Sequence, residues 1–148
     1  MSALQNRIDP VSRVHYPSVA EFERGEMDPA VFVHAAHVYV AWQLLDQFTL
    51  LESIQRFAAA LRRFTKAIGQ ESKYHETITW FFVLLISERK SANESWDEFA
   101  AANEKLISDS KSILKQHYSE ERLWSDLARR QFLLPDRIAN NQDTCAPR

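Results

Sequence analysis

Hydrophobic side chains recur at three- and four-residue steps along most of the chain, and this spacing predicts α-helices. The first core helix is predicted from about Pro29 to Gln47, because Asp28 can cap it and proline is tolerated at the first helical position. The third core helix is predicted from Gln70 or Ser72 to about Lys90. Its middle is apolar on every side, which indicates a helix at the centre of a bundle.

Three capping boxes predict where further helices begin. In each box a serine or threonine precedes a glutamate by three residues: Ser18 with Glu21, Thr49 with Glu52, and Ser95 with Glu98. They predict a short first helix, an amphipathic second core helix that ends near Gly69, and a helix that runs to about Ile107. The elements then shorten, to a helix over 110–118 and two short helical segments within 119–130.

The composition agrees with a helical chain. Only 2 glycines and 5 prolines occur in 148 residues, which favours short connections between helices. We therefore predict an all-α fold, a compact bundle of about four main helices plus short C-terminal helices. An N-terminal arm is predicted over 1–16, a single helical domain over 17–139, and a disordered tail over 140–148.

Charge and apolar runs argue against several classes of partner. A formal net charge of -2 gives no electrostatic reason to expect nucleic-acid binding. The longest apolar run, Ile78 to Ile86, is too short to span a bilayer, and the first ten residues contain no apolar segment typical of a signal peptide. The single cysteine, Cys145, is consistent with a reducing, cytoplasmic location. Self-association stays open at this stage.

Histidines on the predicted core helices are the main candidates for chemistry. His34 and His37 are three residues apart and share a helix face, while His75 lies near the start of the third core helix. Neutral imidazole binds zinc, iron, nickel and copper, and bundle cores often place such ligands on facing helices. We therefore predict a divalent transition metal held by these three histidines.

Two residues beside His75 are the candidate catalytic groups. Glu76 is rotated by about 100° from His75 on a helix, so it suits a proton-transfer or orienting role better than direct coordination. Tyr74 could supply a phenol. His15 and His117 are candidates for a fourth ligand, although surface or packing roles are the simpler interpretation of both.

Other side chains have a structural interpretation. The aromatic stripe of Trp42, Trp80, Phe81 and Phe82 most simply fills the core, and the arginine pairs 62–63 and 129–130 are interpreted as solvated surface. The histidines themselves have an alternative reading, in which hydroxyl or backbone partners satisfy them; the candidate partners are Tyr39, Thr77 and Thr79.

Several reaction classes lack their sequence motif. The chain contains no glycine-rich phosphate loop, no G-x-S-x-G segment and no C-x-x-C pair. A di-iron bundle requires Glu-x-x-His on two helices, but the residue three after Glu76 is Thr79. These known motifs therefore give no assignment of a reaction.

Four short motifs carry a resemblance over about residues 28–136. They are Phe32-x-His34-x-x-His37, the segment 73–77 with the sequence Lys-Tyr-His-Glu-Thr, Tyr118-Ser119, and the segment 134–136 with the sequence Leu-Pro-Asp. In this order they resemble a group of small bacterial all-helical proteins, a resemblance that implies no activity. The chain also resembles, in architecture, the DinB-type metal-binding four-helix proteins, which bind metal through histidines of different helices.

Two functions follow from these patterns as hypotheses. The first is a small metal-dependent enzyme that acts on a small molecule, with hydrolysis, group transfer and oxidation all open. The second is a non-catalytic helical binding or assembly protein whose core histidines are structurally satisfied. The enzyme requires a water-accessible pocket at the histidines, and the alternative requires an exposed apolar patch elsewhere.

Overall fold

The computed structural model describes residues 16–30 and 32–137, and the all-α prediction is confirmed there. No strand occurs within these ranges. The helices are α1 Val19–Arg24, α2 His34–Gln47, α3 Leu50–Ala67, α4 Glu76–Arg89, α5 Trp96–Ala102, α6 Glu104–Ser108, α7 Ser110–His117, α8 Glu120–Leu123 and α9 Asp126–Arg130. A 3₁₀ turn, Glu71–Lys73, precedes α4.

All three predicted Ser or Thr N-caps form. The side-chain oxygens of Ser18, Thr49 and Ser95 accept from backbone amides three residues later, at 3.1–3.2 Å, and so begin α1, α3 and α5. Gly25 ends α1 with a φ of 70°, a left-handed conformation that glycine adopts without strain. The helix starts that depend on local side chains are therefore where the sequence placed them.

The first core helix begins later than predicted. Asp28 does not cap a helix at Pro29; instead its side chain accepts from the amide of Ala30 at 2.9 Å, and this local turn delays the helix. Val33 remains extended, and α2 begins at His34. The predicted end at Gln47 is correct.

Two further boundaries differ from the prediction. The helix predicted from Ser95 to Ile107 is divided at Asn103, whose side-chain amide donates to the carbonyl of Phe99 at 2.9 Å and competes with helical bonding. The third core helix does not begin at residue 70 or 72, because Tyr74 is extended and His75 is the N-cap. These differences shorten the elements without changing the fold class.

The core lies among α2, α3 and α4, each of which contacts the other two. α1 packs on α2 and α3, while α6 packs on α2. Tyr16, at the N-terminal edge of the described chain, contacts this core: its ring lies 5.4 Å from that of Tyr39 and 6.1 Å from that of Trp96. The short α8 and α9 cover the beginning of α4.

A buried hydroxyl fastens α9 to α4. The Oγ1 atom of Thr77 lies 2.7 Å from the carbonyl oxygen of Ala128 and 2.9 Å from that of Gln131, and it accepts from the amide of Leu133 at 3.1 Å. Thr77 is inaccessible to solvent. These bonds fix the chain that follows α9 against the core, although Leu134 itself is 70% exposed.

Several sequence predictions fall on residues outside the described ranges. They concern His15, Cys145, the tail over 140–148 and nearly all of the arm over 1–16. Among the described helices, none combines the length and the apolar character needed to cross a membrane. The cytoplasmic location stays a prediction.

Candidate functional site

His34 begins α2 and is bound to a backbone carbonyl of a distant helix. Its Nε2 atom lies 2.9 Å from the carbonyl oxygen of Leu106 in α6, so this nitrogen is the donor. The ring also contacts Phe82, with 4.9 Å between the ring centroids. Burial lowers the pKa of His34, and the Leu106 carbonyl only partly opposes this effect. The ring is therefore neutral at pH 7.

His37 lies one turn further along α2, and its Nε2 atom is buried without a hydrogen-bond partner among the described residues. Burial, followed by the nearby His34, lowers the pKa of His37 to about 3, while the backbone carbonyl of Phe32 raises it slightly. Because the Phe32 carbonyl favours a proton on the ring and Nε2 has no partner, we assign the proton to Nδ1. Nε2 is then an unsatisfied acceptor, which is costly in a core.

His75 uses both of its ring nitrogens. Nδ1 accepts from the amide of Ile78 at 3.2 Å and caps α4, whereas Nε2 donates to the carbonyl of Leu123 at 2.7 Å. Burial lowers the pKa of His75, and the positive charge of Arg129 lowers it further, against the Leu123 carbonyl. The side chain is buried, with 6% of its surface exposed.

The structure places the three predicted metal ligands around two neighbouring cavities. His34 and His37 line the first, and His37 and His75 line the second. Within the described ranges, however, no three side chains of the His, Cys, Asp or Glu type are grouped so that they could hold a metal ion. A metal bound to His75 would have to replace one of that ring's two hydrogen bonds, to Leu123 or to Ile78. The metal site stays a prediction.

Tyr74 and Glu76, the predicted catalytic residues, belong to a network that joins α3 to α4. The Nη2 atom of Arg62 lies 2.8 Å from both carboxylate oxygens of Glu76, and the Tyr74 hydroxyl donates to Oε1 of Glu76 at 2.5 Å. Burial raises the pKa of Tyr74 well above its usual value, and the Glu76 carboxylate raises it further. At neutral pH the phenol therefore stays protonated and the carboxylate is paired.

His117 does not join the other histidines. Its Nδ1 atom lies 2.8 Å from the carbonyl oxygen of Ile113, one turn back in the same helix, and its ring contacts Phe81 at 5.0 Å. It lines neither of the two cavities described here. The structure therefore assigns it local hydrogen bonding and packing.

The first cavity is small and mostly apolar. Its volume is about 140 Å³, and it lies between α2, α3, α4 and α7. Apart from His34 and His37, the only polar side chains in its lining are Thr79 and Ser110. A pocket of this kind suits apolar groups rather than ions.

The second cavity is larger and more varied. Its volume is about 340 Å³, at the lower end of the range of roughly 300–1,000 Å³ for small-molecule sites. Its lining comes from α2, α3, α4, α9, the 3₁₀ turn and the residue after α8, and includes Leu61, Phe64, Ile68, Ile78 and Trp124. Four side chains line both cavities: His37, Leu61, Ile78 and Thr79. His37 therefore stands at their junction.

The charged side chains described in the lining of the second cavity are both positive. Lys73 and Arg129 are in its lining, to which the described part of the chain contributes no carboxylate. Nη1 of Arg129 lies 3.3 Å from the carbonyl oxygen of Ser72, and the guanidinium stands 5.7 Å from the centre of the Trp124 ring. The cavity thus combines apolar side chains, two neutral histidines and two cationic side chains.

Sequence reasoning missed the contributions of Arg129 and Trp124. The arginine pair at 129–130 was interpreted as solvated surface, yet Arg129 lines the second cavity. The only local signal was the capping serine before α9, which predicts the helix but not its neighbour. The aromatic stripe, by contrast, does pack in the core around Phe81 and Phe82.

Comparisons of this chain with known proteins identified no relative. The chain matches no model of a protein family, no curated protein and no solved structure. The resemblances drawn from its motifs accordingly stay predictions, and the function must be argued from the site.

Proposed function

We propose that this chain is a non-catalytic binding protein for a small molecule, which occupies the second cavity between α3, α4 and α9. The observation that carries this proposal is the Nε2 atom of His37, a buried acceptor without a partner at the junction of two cavities. A ligand with a hydroxyl or N–H group would satisfy that acceptor, and its apolar body would lie against Phe64, Ile68 and Ile78.

The histidines support binding rather than catalysis. His34 and His75 already donate hydrogen bonds to backbone carbonyls. Both candidate catalytic groups, Tyr74 and Glu76, are hydrogen-bonded in the network with Arg62. The Nε2 atom of His37 is the ring nitrogen among these that is buried and has no partner within the described residues. A single neutral acceptor in an apolar site selects ligands through hydrogen bonding.

Binding requires a small movement at the junction. Nε2 of His37 is covered by its neighbours, so a ligand group reaches it after a side-chain shift of Leu61 or Ile78, which line both cavities. Side-chain changes of this size are common on binding. The shift would open the second cavity towards the first.

Titration with p-cresol and toluene tests the proposal, because these probes differ by one hydroxyl. Calorimetry should give tighter binding of p-cresol to the wild-type chain, by roughly tenfold for one buried hydrogen bond. His37→Leu should remove the difference, whereas His117→Leu, a histidine that lines neither cavity, should keep it. Equal affinities for both probes in the wild type, or no binding of either, would overturn the proposal.

The histidine-ligated metalloenzyme is the second candidate, and the free Nε2 of His37 is the observation that favours it. Elemental analysis of the untagged protein, before and after mild chelation, decides between the two. Near-stoichiometric zinc, iron, nickel or copper that is lost in His37→Ala would support the metal site. Metal that survives combined substitution of His34, His37 and His75 would rule out these ligands.

A further inference from the structure

We infer that the ligand of the second cavity carries a carboxylate, which lies against Lys73 and Arg129 while its apolar body points towards His37. This inference rests on the proposed function, because it takes the second cavity to be the ligand site. It adds the chemical class of the ligand: a compact amphipathic acid with a hydroxyl at the opposite end.

The two cations of the cavity lack counter-ions among the described residues. Within 16–30 and 32–137, no carboxylate lies within ion-pairing distance of Lys73 or Arg129, although four other cations do form ion pairs: Arg24, Arg56, Arg62 and Lys90. Glu76, the acid next to the cavity-lining Tyr74, is already paired with Arg62. The positive charge at this cavity is therefore uncompensated, which favours an anion there.

Arg129 has N–H groups available to donate hydrogen bonds to such an anion. Its contact with the Ser72 carbonyl, at 3.3 Å, uses one N–H group of a guanidinium that has five. The planar group can bind both oxygens of a carboxylate, and the Trp124 ring beside it limits its freedom. Arg129 also lies close enough to His75 to affect that ring electrostatically, which places its charge at the cavity wall.

The polar groups of the cavity come from different elements, and apolar side chains share the lining with them. His37 comes from α2, while Lys73 and Arg129 come from the 3₁₀ turn and α9; the lining also includes Phe64 and Ile68. A ligand that satisfies all of these groups has an anionic end, an apolar middle and a donor end. Its size is limited by the cavity of about 340 Å³, which suits a compact acid rather than a long-chain one.

Calorimetric titration with 4-hydroxyphenylacetate and 4-hydroxyphenylacetamide tests the charge alone, since the two compounds have nearly the same shape. The acid should bind the wild-type chain roughly tenfold tighter, as expected when a hydrogen bond gains a charged partner. Lys73→Gln and Arg129→Gln should each remove most of that preference. Arg130→Gln is the matched control, because it removes a neighbouring cation of α9 that does not line the cavity.

Each outcome has a separate meaning, provided that circular dichroism shows every variant to be folded. Equal binding of acid and amide would overturn the inference and leave the proposed binding function intact. A preference for the acid that Arg130→Gln weakens as much as Arg129→Gln would also overturn it, since the attraction would then come from general charge. If the acid, the amide and p-cresol all failed to bind, the proposed function itself would be overturned.

Discussion

The Nε2 atom of His75 lies 2.7 Å from the carbonyl oxygen of Leu123. Nδ1 of the same ring accepts from the amide of Ile78 at 3.2 Å. Because one ring nitrogen accepts and the other donates, the ring is the neutral tautomer with its proton on Nε2. One side chain thus begins α4 and binds α8 to it, and so holds a wall of the second cavity in place.

Replacing His75 with phenylalanine should remove both hydrogen bonds. We expect the free energy of unfolding to fall by roughly 2–4 kcal/mol, because a helix cap and a buried hydrogen bond are lost together. His75→Asn keeps a capping side chain that is too short to reach Leu123, so it should cost about half as much. Urea denaturation followed by circular dichroism measures both losses. A loss below about 0.5 kcal/mol for His75→Phe would contradict this role.

Acidification should destabilise the fold through His37. Burial lowers the pKa of His37 to about 3 in the folded protein, against 6.5 for an unperturbed histidine. Below pH 6.5, His37 is therefore protonated in the unfolded chain but stays neutral in the folded one. Because the unfolded state binds more protons, the free energy of unfolding falls as the pH drops towards 3. Between pH 6.5 and pH 5 this residue should account for a fall of roughly 1–2 kcal/mol.

The contribution of His37 can be isolated by comparing variants. His37→Leu should flatten the dependence of the unfolding free energy on pH between 6.5 and 5, while His34 and His75 still titrate. His117→Leu, which keeps His34, His37 and His75, should follow the wild-type slope. If His37→Leu and the wild type had the same slope, the folded ring would not be resisting protonation.

The predicted parts of the fold were those encoded by local side chains. Ser18, Thr49 and Ser95 act on amides only three residues away, so the sequence places these helix starts correctly. Asp28 looked like another cap, but its side chain bonds Ala30 instead. A single residue can support a cap or a turn equally well, and the choice depends on packing that the pattern does not record.

The site was harder to predict because its contacts are distant in sequence. His37 and His75 do line one cavity, as the prediction of a shared site required. The partners of His34 and His75, however, are the backbone carbonyls of Leu106 and Leu123, and every residue type carries a carbonyl. Arg129 lies more than fifty residues from His75 along the chain, so no periodicity links the two.

Thr77→Val should separate the role of the buried hydroxyl from that of its volume. Valine keeps the shape, but it leaves the carbonyls of Ala128 and Gln131 and the amide of Leu133 without their common partner. We expect a loss of roughly 1–3 kcal/mol in the free energy of unfolding. Because α9 also carries Arg129, binding of 4-hydroxyphenylacetate should weaken as well.

Thr65→Val is the matched control for this substitution. Its hydroxyl bonds the Arg62 carbonyl one turn back at an exposed position, so its loss should change the free energy of unfolding by less than about 0.5 kcal/mol. Thermal denaturation of the two variants side by side gives the comparison. Equal destabilisation by Thr65→Val and Thr77→Val would mean that the bonds to α9 contribute little.

The pair of Arg62 and Glu76 should contribute to stability and not to ligand chemistry. The Arg62 side chain is 52% exposed and that of Glu76 is 14% exposed, so the solvent weakens their attraction. A double-mutant cycle with Arg62→Gln and Glu76→Gln should give a coupling of about 0.5–1 kcal/mol in urea denaturation. Tyr74→Phe should cost about 1 kcal/mol, because Glu76 loses one donor.

Ligand binding distinguishes this structural role from a catalytic one. Glu76 does not line the second cavity, and Arg62 compensates its charge. Because a surface ion pair has little effect at a distance, Glu76→Gln should leave the affinity for 4-hydroxyphenylacetate within about twofold of the wild type. Arg129→Gln provides the contrast, because that side chain lines the cavity. If Glu76→Gln changed the affinity as much as Arg129→Gln, the carboxylate would have to act on the ligand directly, and the network with Arg62 and Tyr74 would have to open on binding.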